Sequence, residues 1–320
     1  MSTEPIILLA GEPNSIFLEI FFKSLKYKKY KNPLILISSQ KILKLQMKKL
    51  NFNMKINIID YKKFDLKKLN NKNINLINVQ YSQPKAFQKI TSKSNNYINR
   101  SFEIAFDIIN KGLSRKLING PISKKSFLKK NYLGITEFIN NEYKTKSNAM
   151  LIYNKKLAVC PVTTHLPIKQ VAKYINKKTI SEKIILINNF YKKVLGYKPR
   201  MAVLGLNPHC ESVHKFNEDE KIIKPLIQQL KKKYQVSGPF SADTIFLKKN
   251  RKKFNVIIGM YHDQVLTPLK TIFEYDAINI TLGLPFLRIS PDHGPNEKMM
   301  GMNLSNPLSL IKAINFLDKN

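Results

Sequence analysis

Cysteine occurs only twice in the 320 residues, at Cys160 and Cys210, which excludes a disulfide framework and a four-cysteine zinc site. Both lie inside apolar segments, which fits a reducing cytoplasm. No apolar run approaches the roughly 18 residues of a membrane-crossing helix. The opening MSTEPIILLAGEP carries an acid where a secretion signal needs a basic flank. Export and membrane spanning are therefore not expected. Gly-x-Gly-x-x-Gly is absent as well, so a Rossmann dinucleotide site is not expected.

Acidic residues are few, 21 against 55 Lys+Arg, for a formal net charge of +34. A charge of that size points first to nucleic acid or an anionic membrane surface. Arginine, however, supplies only five of the basic residues, at positions 100, 115, 200, 251 and 288, although its planar fork reads phosphates and base edges better than lysine does. Lysine is dispersed over the whole length. The basic stretches 231–233 and 248–253 fall between apolar-periodic segments, where a solvated helix face or loop is the ordinary outcome. No nucleic-acid or membrane partner is expected, only weak, salt-sensitive retention on DNA.

What is present supports a folded chain. Hydrophobic residues make up 43%, with 18 Phe and 14 Tyr, enough apolar surface to offset the ordering entropy. Short apolar runs at Ile6–Ala10, Leu34–Ser38, Leu117–Asn119, Leu157–Val162, Met201–Leu206, Val256–Tyr261 and Ala277–Thr281 read as buried strands. Helical periodicity marks Ser101–Gly112, Ser181–Leu195 and Glu218–Tyr234, the last opened by Asn217 as a cap. Strands alternating with helices predict an α/β fold with a largely parallel sheet. Lys41–Ser94, the most Lys/Asn-rich and least motif-bearing stretch, reads as scaffold with long surface loops. Residues 1–120 plus roughly 293–320 are expected to form one α/β domain. Residues 121–292 form a second, carrying most metal and substrate motifs.

One pattern occurs three times: an apolar strand-like run, a small polar turn, then a histidine. LAVCPVTTH delivers His165, MAVLGLNPH delivers His209 and NVIIGMYHD delivers His262. In an α/β sheet the carboxyl ends of strands converge on the ligand crevice, so distant histidines can meet there. Three imidazoles with an open position suit a catalytic metal. His214 and His293 do not share the pattern, and His214 reads as a surface residue. Around the third histidine stand Asp263, Gln264, Lys270, Asn279, Arg288, Asp292 and His293. Lys270 offers a point charge and Arg288 a bidentate fork for a phosphate or carboxylate. Asp243, in Ser241–Thr244, offers a carboxylate for metal, substrate or proton transfer, although an Asp-Thr pair is more often a helix cap.

GEP at 11–13, GPISK at 120–124, GITEF at 134–138, TTHLP at 163–167, GLNPH at 205–209, GPFSADTIF at 238–246, MYHDQ at 260–264 and NITLGLPFLRISPDHG at 279–294 resemble the 4-hydroxythreonine-4-phosphate dehydrogenase family of pyridoxine biosynthesis. The resemblance spans nearly the whole chain. It implies the isocitrate/isopropylmalate-dehydrogenase type of fold, a two-domain α/β/α subunit with its active site at a homodimer interface. It implies a divalent metal (Zn, Mg or Co) on His165, His209 and His262, and substrate contacts from Thr136, Lys270, Asn279 and Arg288. The reaction implied is NAD- or NADP-dependent oxidation of the C3 hydroxyl of 4-phosphohydroxy-L-threonine followed by decarboxylation. Asp243 or Lys270 relays the hydroxyl proton. The chain departs from the family pattern in three places. Ile135 stands where the family has a histidine that contacts substrate, Asn14, Ser15 and Phe17 occupy a stretch usually rich in glycine, and Pro295-Asn296 replaces small residues. A paralogue acting on a four-carbon sugar-acid phosphate is the main alternative, and an inactive nucleic-acid-binding derivative a lesser one.

Overall fold

The structure is a computed structural model that describes residues 4–63, 65, 68–128, 132, 134–213, 216–291 and 294–320. His214, Asp292 and His293 lie outside the described residues. The chain forms two compact units, 1–142 with 285–320, and 143–284. The first crossing thus falls after Glu142 rather than near Gly120-Pro121, and the chain re-enters the first unit at Pro285 rather than after Asp292. The cause of the first shift is the segment around GITEF, whose Thr136 is hydrogen-bonded to Arg288 of the returning chain.

The first unit opens with β1 (Ile6–Leu9), α1 (Phe17–Tyr27), β2 (Leu34–Ser38), α2 (Gln40–Lys49), β3 (Ile56–Ile58) and β4 (Ile74–Asn78). It continues through α3 (Asn95–Asn110), β5 (Lys116–Asn119) and α4 (Ile135–Glu142). β1 and, but for Ser38, β2 are apolar, and both are buried along their whole lengths, as strands covered on both faces must be. Helix α1 presses Phe17, Ile20, Phe21 and Phe22 into the core, and α3 does the same with Ile98, Phe102, Ala105 and Ile108. Within Lys41–Ser94 the expected long loops are present, as in the irregular stretch 79–91, but α2, β3 and β4 stand between them. Asparagines hid the strands because they are satisfied inside the sheet: Asn75 donates to the carbonyls of Leu34 and Asn70 and accepts from Asn57. Buried polar groups cost little once hydrogen-bonded.

The glycine of the GEP turn is set by two constraints. Gly11 has φ +72, and a β-carbon there would lie 2.4 Å from the Pro121 carbonyl oxygen. Gly11→Ala is therefore expected to destabilise by about 1–3 kcal/mol, read as a lower urea midpoint at unchanged slope. The side chains after it lock the turn: Ser15 donates to the Glu12 carbonyl, and Asn14 exchanges hydrogen bonds with Gln83. Burial raises the Glu12 carboxyl above its ordinary range, against hydrogen bonds from Asn14 and Ser94.

The second unit contains β6 (Ala149–Asn154), β7 (Leu157–Pro161), α5 (Ile168–Tyr174), α6 (Lys177–Phe190), β8 (Met201–Leu204) and α7 (Lys224–Leu230). It ends with β9 (Val236–Phe240), α8 (Ala242–Ile245), α9 (Lys248–Arg251), β10 (Val256–Gly259), α10 (His262–Phe273) and β11 (Ile278–Leu282). β12 (Leu287–Pro291) and α11 (Leu308–Lys319) complete the first unit. The first unit's strands run in the order β3-β4-β2-β1-β5-β12, all parallel. Those of the second run β11-β6-β7-β10-β8-β9. There β6 is antiparallel to both neighbours, while β7, β10, β8 and β9 are parallel.

Helix starts in the second unit follow capping chemistry. Asn176 and Thr179 form a reciprocal capping box, so α6 begins at Lys177, ahead of the periodic stretch. Asn217 Oδ1 accepts from the Asp219 and Glu220 backbone amides, the cap that its position in the sequence predicts, here for the helical turn Asp219–Ile223 that runs into α7. The core of this unit gathers Ile152, Val159, Leu204, Ile257, Val265 and Leu269 beneath the carboxyl ends of β7, β8 and β10. Among the described residues no helix is long and apolar enough to cross a membrane.

Candidate active site

The three histidines leave β7, β8 and β10, which are consecutive in the sheet order as β7-β10-β8. They therefore emerge from one edge of one layer. Adjacent strands alone do not fix their loops, and side chains supply the rest. Thr163 Oγ1 donates to the Met260 carbonyl at 2.7 Å, and the Thr163 amide reaches the same oxygen at 3.1 Å. Gln264 Oε1 accepts from the Met260 amide at 2.7 Å while its Nε2 donates to the Gly205 carbonyl at 2.8 Å. The TTH, MYHD and GLNPH segments are tied into one framework by these two residues.

His165 and His262 stand with ring centroids 6.1 Å apart and tilted by 37°. His262 opens α10, and its Nδ1 lies 2.6 Å from Asp263 Oδ1. A carboxylate on one ring nitrogen fixes the tautomer and leaves Nε2 as the lone-pair donor, the arrangement that orients metal-binding imidazoles. His209 sits in the single turn Pro208–Cys210 with φ +56, and its Nδ1 is 3.5 Å from Ser241 Oγ. Asp243 belongs to the same corner. The Ser241 hydroxyl, followed by the nearby His209, holds its carboxyl below the ordinary carboxylate range, so it stays ionised. The structure thus pairs His165 with His262 and places His209 with Ser241 and Asp243. Among the described residues no three of His, Cys, Asp and Glu stand close enough together to hold a metal ion.

The donor chemistry nevertheless fits a divalent ion. Imidazole nitrogens, one ring already backed by a carboxylate, suit zinc or cobalt better than magnesium, which prefers oxygen ligands.

The anion-binding candidates divide between the two units. In the first, Arg288 on β12 is fully buried. Its Nε donates to Asn119 Oδ1 at 2.7 Å and its Nη1 to Thr136 Oγ1 at 3.1 Å. Burial pulls the guanidinium down to about 10, partly offset by the Glu137 carboxylate. Asn119 and Thr136 therefore aim a desolvated cation that also feels the Glu137 carboxylate. In the second unit, Lys270 lies in the last turn of α10 and Asn279 on β11. Asn279 Oδ1 is shielded from solvent without a hydrogen-bond partner among the described residues, so it has acceptor capacity to spare. Ile135, partly exposed, is the first residue of α4, directly before Thr136.

Thr163 and Asp219 were not legible as site residues. A threonine that ties two loops looks like any threonine in a turn, and Asp219 reads as a helix-start acid although it is completely buried. Gln264 and Asp263 stood out only as members of a polar run. The thiols take no part in the pairing of histidines: Cys160 is buried and pushed up to about 12, and both cysteines are free.

The pyridoxal phosphate biosynthetic protein PdxA profile matches residues 29–317. The 4-hydroxythreonine-4-phosphate dehydrogenase of Sulfurihydrogenibium sp. is 35% identical over 317 residues, covering 97% of this chain and 96% of that protein. The D-threonate 4-phosphate dehydrogenase of Salmonella typhimurium is 30% identical over 302 residues, 92% of each chain. Among solved structures, a 4-hydroxythreonine-4-phosphate dehydrogenase from Klebsiella pneumoniae superposes with a TM-score of 0.84 at 27% identity, over 98% of this chain and 97% of that one. The chain belongs to the PdxA family of pyridoxal phosphate biosynthetic proteins and, with that family's α/β fold, is an oxidoreductase.

Proposed function

We propose that this dehydrogenase oxidises the C3 hydroxyl of 4-phosphohydroxy-L-threonine, and that the resulting β-keto acid loses carbon dioxide to give 3-amino-2-oxopropyl phosphate. The observation that carries the reading is the buried Arg288 guanidinium aimed by Asn119 and Thr136. A buried guanidinium aimed in this way has the fork geometry that suits an anionic group such as the substrate phosphate or carboxylate. When bound, NAD or NADP accepts the hydride, and a divalent metal polarises the substrate's oxygen substituents.

The chain's own residues supply the rest. His165, His209 and His262 are the metal-holding set, with Asp263 orienting His262. Asp243, held ionised by Ser241 and His209, is in the form that accepts the hydroxyl proton. Lys270, Asn279, Thr136 and Arg288 contact the substrate. A homodimer in the cytoplasm completes the proposal, and sedimentation of the purified protein reads the dimer directly. Purified protein incubated with 4-phosphohydroxy-L-threonine, NAD or NADP and a panel of divalent metals tests the activity by reduced-nicotinamide absorbance. No reduction with any metal would refute it.

Ile135 favours weighing a second reading, oxidation of D-threonate 4-phosphate, the substrate named for the Salmonella relative. An apolar side chain before Thr136 removes a donor for an anionic substrate, worth about 1.5–3 kcal/mol when charge-assisted. Ile135→His is expected to raise kcat/KM on 4-phosphohydroxy-L-threonine, by up to roughly 10- to 150-fold, or to leave it unchanged. Parallel assays of both proteins on both phosphates make the comparison. Strong wild-type preference for D-threonate 4-phosphate, lost on mutation, would hand the assignment to the second reading.

A further inference from the structure

We infer that Asp219 is a positioning residue that sets His209 by clamping the Gly205–Cys210 loop, an inference that rests on the metal-holding role proposed for His209. Asp219 is fully buried, and its carboxylate is used up on that loop. Oδ1 accepts from the Leu206 amide at 2.8 Å, and Oδ2 accepts from the Asn207 amide at 3.1 Å and from Asn207 Nδ2 at 2.9 Å. Asn207 Nδ2 also donates to Glu218 Oε2 at 3.1 Å, and Asn217 Oδ1 holds the Asp219 amide at 2.9 Å. The loop is gripped on its other side by Gln264 at the Gly205 carbonyl.

Three features make this more than a helix-start acid. A carboxylate taken wholly out of water is costly unless fully hydrogen-bonded. Here all three donors come from the two residues that precede Pro208-His209, so the stabilisation is directed at that turn. Second, Gly205 leaves the carboxylate its space: a β-carbon at Gly205 would sit 2.7 Å from Asp219 Oδ1 and 2.7 Å from Cys210 Sγ. Third, His209 and Cys210 both have positive φ, +56 and +62, a region uncommon for residues with side chains, and two in succession are rarer still. The Asp219 clamp is the contact immediately upstream.

The test compares wild type with Asp219→Asn, Asn207→Ala, His209→Ala and Gly11→Ala, using Co2+ alone as the probe and its visible absorption as the readout. A second readout is the His209 ring carbon–proton resonance in metal-free protein, assigned by its absence from His209→Ala. Asp219→Asn is expected to weaken Co2+ binding roughly 10- to 100-fold, as loss of outer contacts typically does. It should also shift or broaden the His209 resonance and lower kcat more than it raises KM. Asn207→Ala should move each readout the same way by less, and it carries the test if Asp219→Asn does not fold. Gly11→Ala, in the other unit, should lower the melting temperature and leave Co2+ affinity intact, separating positioning from general stability. Wild-type Co2+ affinity and an unmoved His209 resonance in folded Asp219→Asn would overturn the inference. If wild type takes no Co2+, or His209→Ala keeps full affinity, the metal reading fails instead, and the ring resonance alone decides whether Asp219 positions His209.

Discussion

Arg288→Met is expected to lower kcat/KM on the phosphorylated substrate by roughly 30- to 5,000-fold, because truncating one partner of a buried, hydrogen-bonded charge pair costs about 2–5 kcal/mol. The side chain is fully buried, so solvent cannot step in to replace the lost donors. Methionine is close in volume and unbranched, which limits the packing penalty. Lysine should not rescue. Its ammonium is a point charge that cannot keep the Nε contact to Asn119 and the Nη1 contact to Thr136 while presenting a fork to the ligand. The melting temperature should fall, because methionine leaves the buried Asn119 Oδ1 without its donor, a loss only partly offset by relief of the desolvation that pulls the guanidinium down to about 10. Thr136→Val, which removes one aiming acceptor without touching the charge, should give a smaller loss in the same direction. Steady-state kinetics with a thermal melt on each variant makes the measurement, and an unchanged kcat/KM in Arg288→Met would remove Arg288 from substrate binding.

How far the sequence carried the structure depends on which force fixed each piece. Continuous apolar runs such as Ile6–Leu9 and Val256–Gly259 became buried parallel strands because nothing else hides so much apolar surface in so few residues. The strands of the strand-turn-histidine pattern were legible for the same reason, and β7, β10 and β8 lie side by side, but the structure pairs only His165 with His262 and sets His209 beside Ser241. The β3–β4 region was missed because its asparagines satisfy one another across strands, a partnership with no local signature. Asp219 and Thr163 were missed for a related reason: their partners lie 12 to 97 residues away. Periodicity and capping read local order. Hydrogen bonds between loops are decided only once the sheet has formed.

The same division of labour sets the expectation for the histidines. His262→Ala is expected to weaken divalent-metal binding by roughly two to three orders of magnitude and to reduce turnover to background. The figure follows from structural zinc sites, where four ligands together supply about 10–16 kcal/mol, or about 2.5–4 kcal/mol per ligand. His165→Ala should match it, since the two rings face each other at 6.1 Å. Asp263→Asn should fall between these and wild type. It leaves the imidazole in place and removes only the carboxylate that fixes the tautomer at 2.6 Å, a change typically worth 10- to 100-fold in metal affinity. None of the three should unfold the chain, because Thr163, Met260 and Gln264 hold the loops through bonds that do not involve the rings. Metal content after dialysis, Zn2+ or Co2+ titration and turnover on the same preparations test the ordering. Full metal retention by His165→Ala and His262→Ala alike would exclude a metal on these histidines, and the hydroxyl would then have to be activated by Asp243 or Lys270 alone.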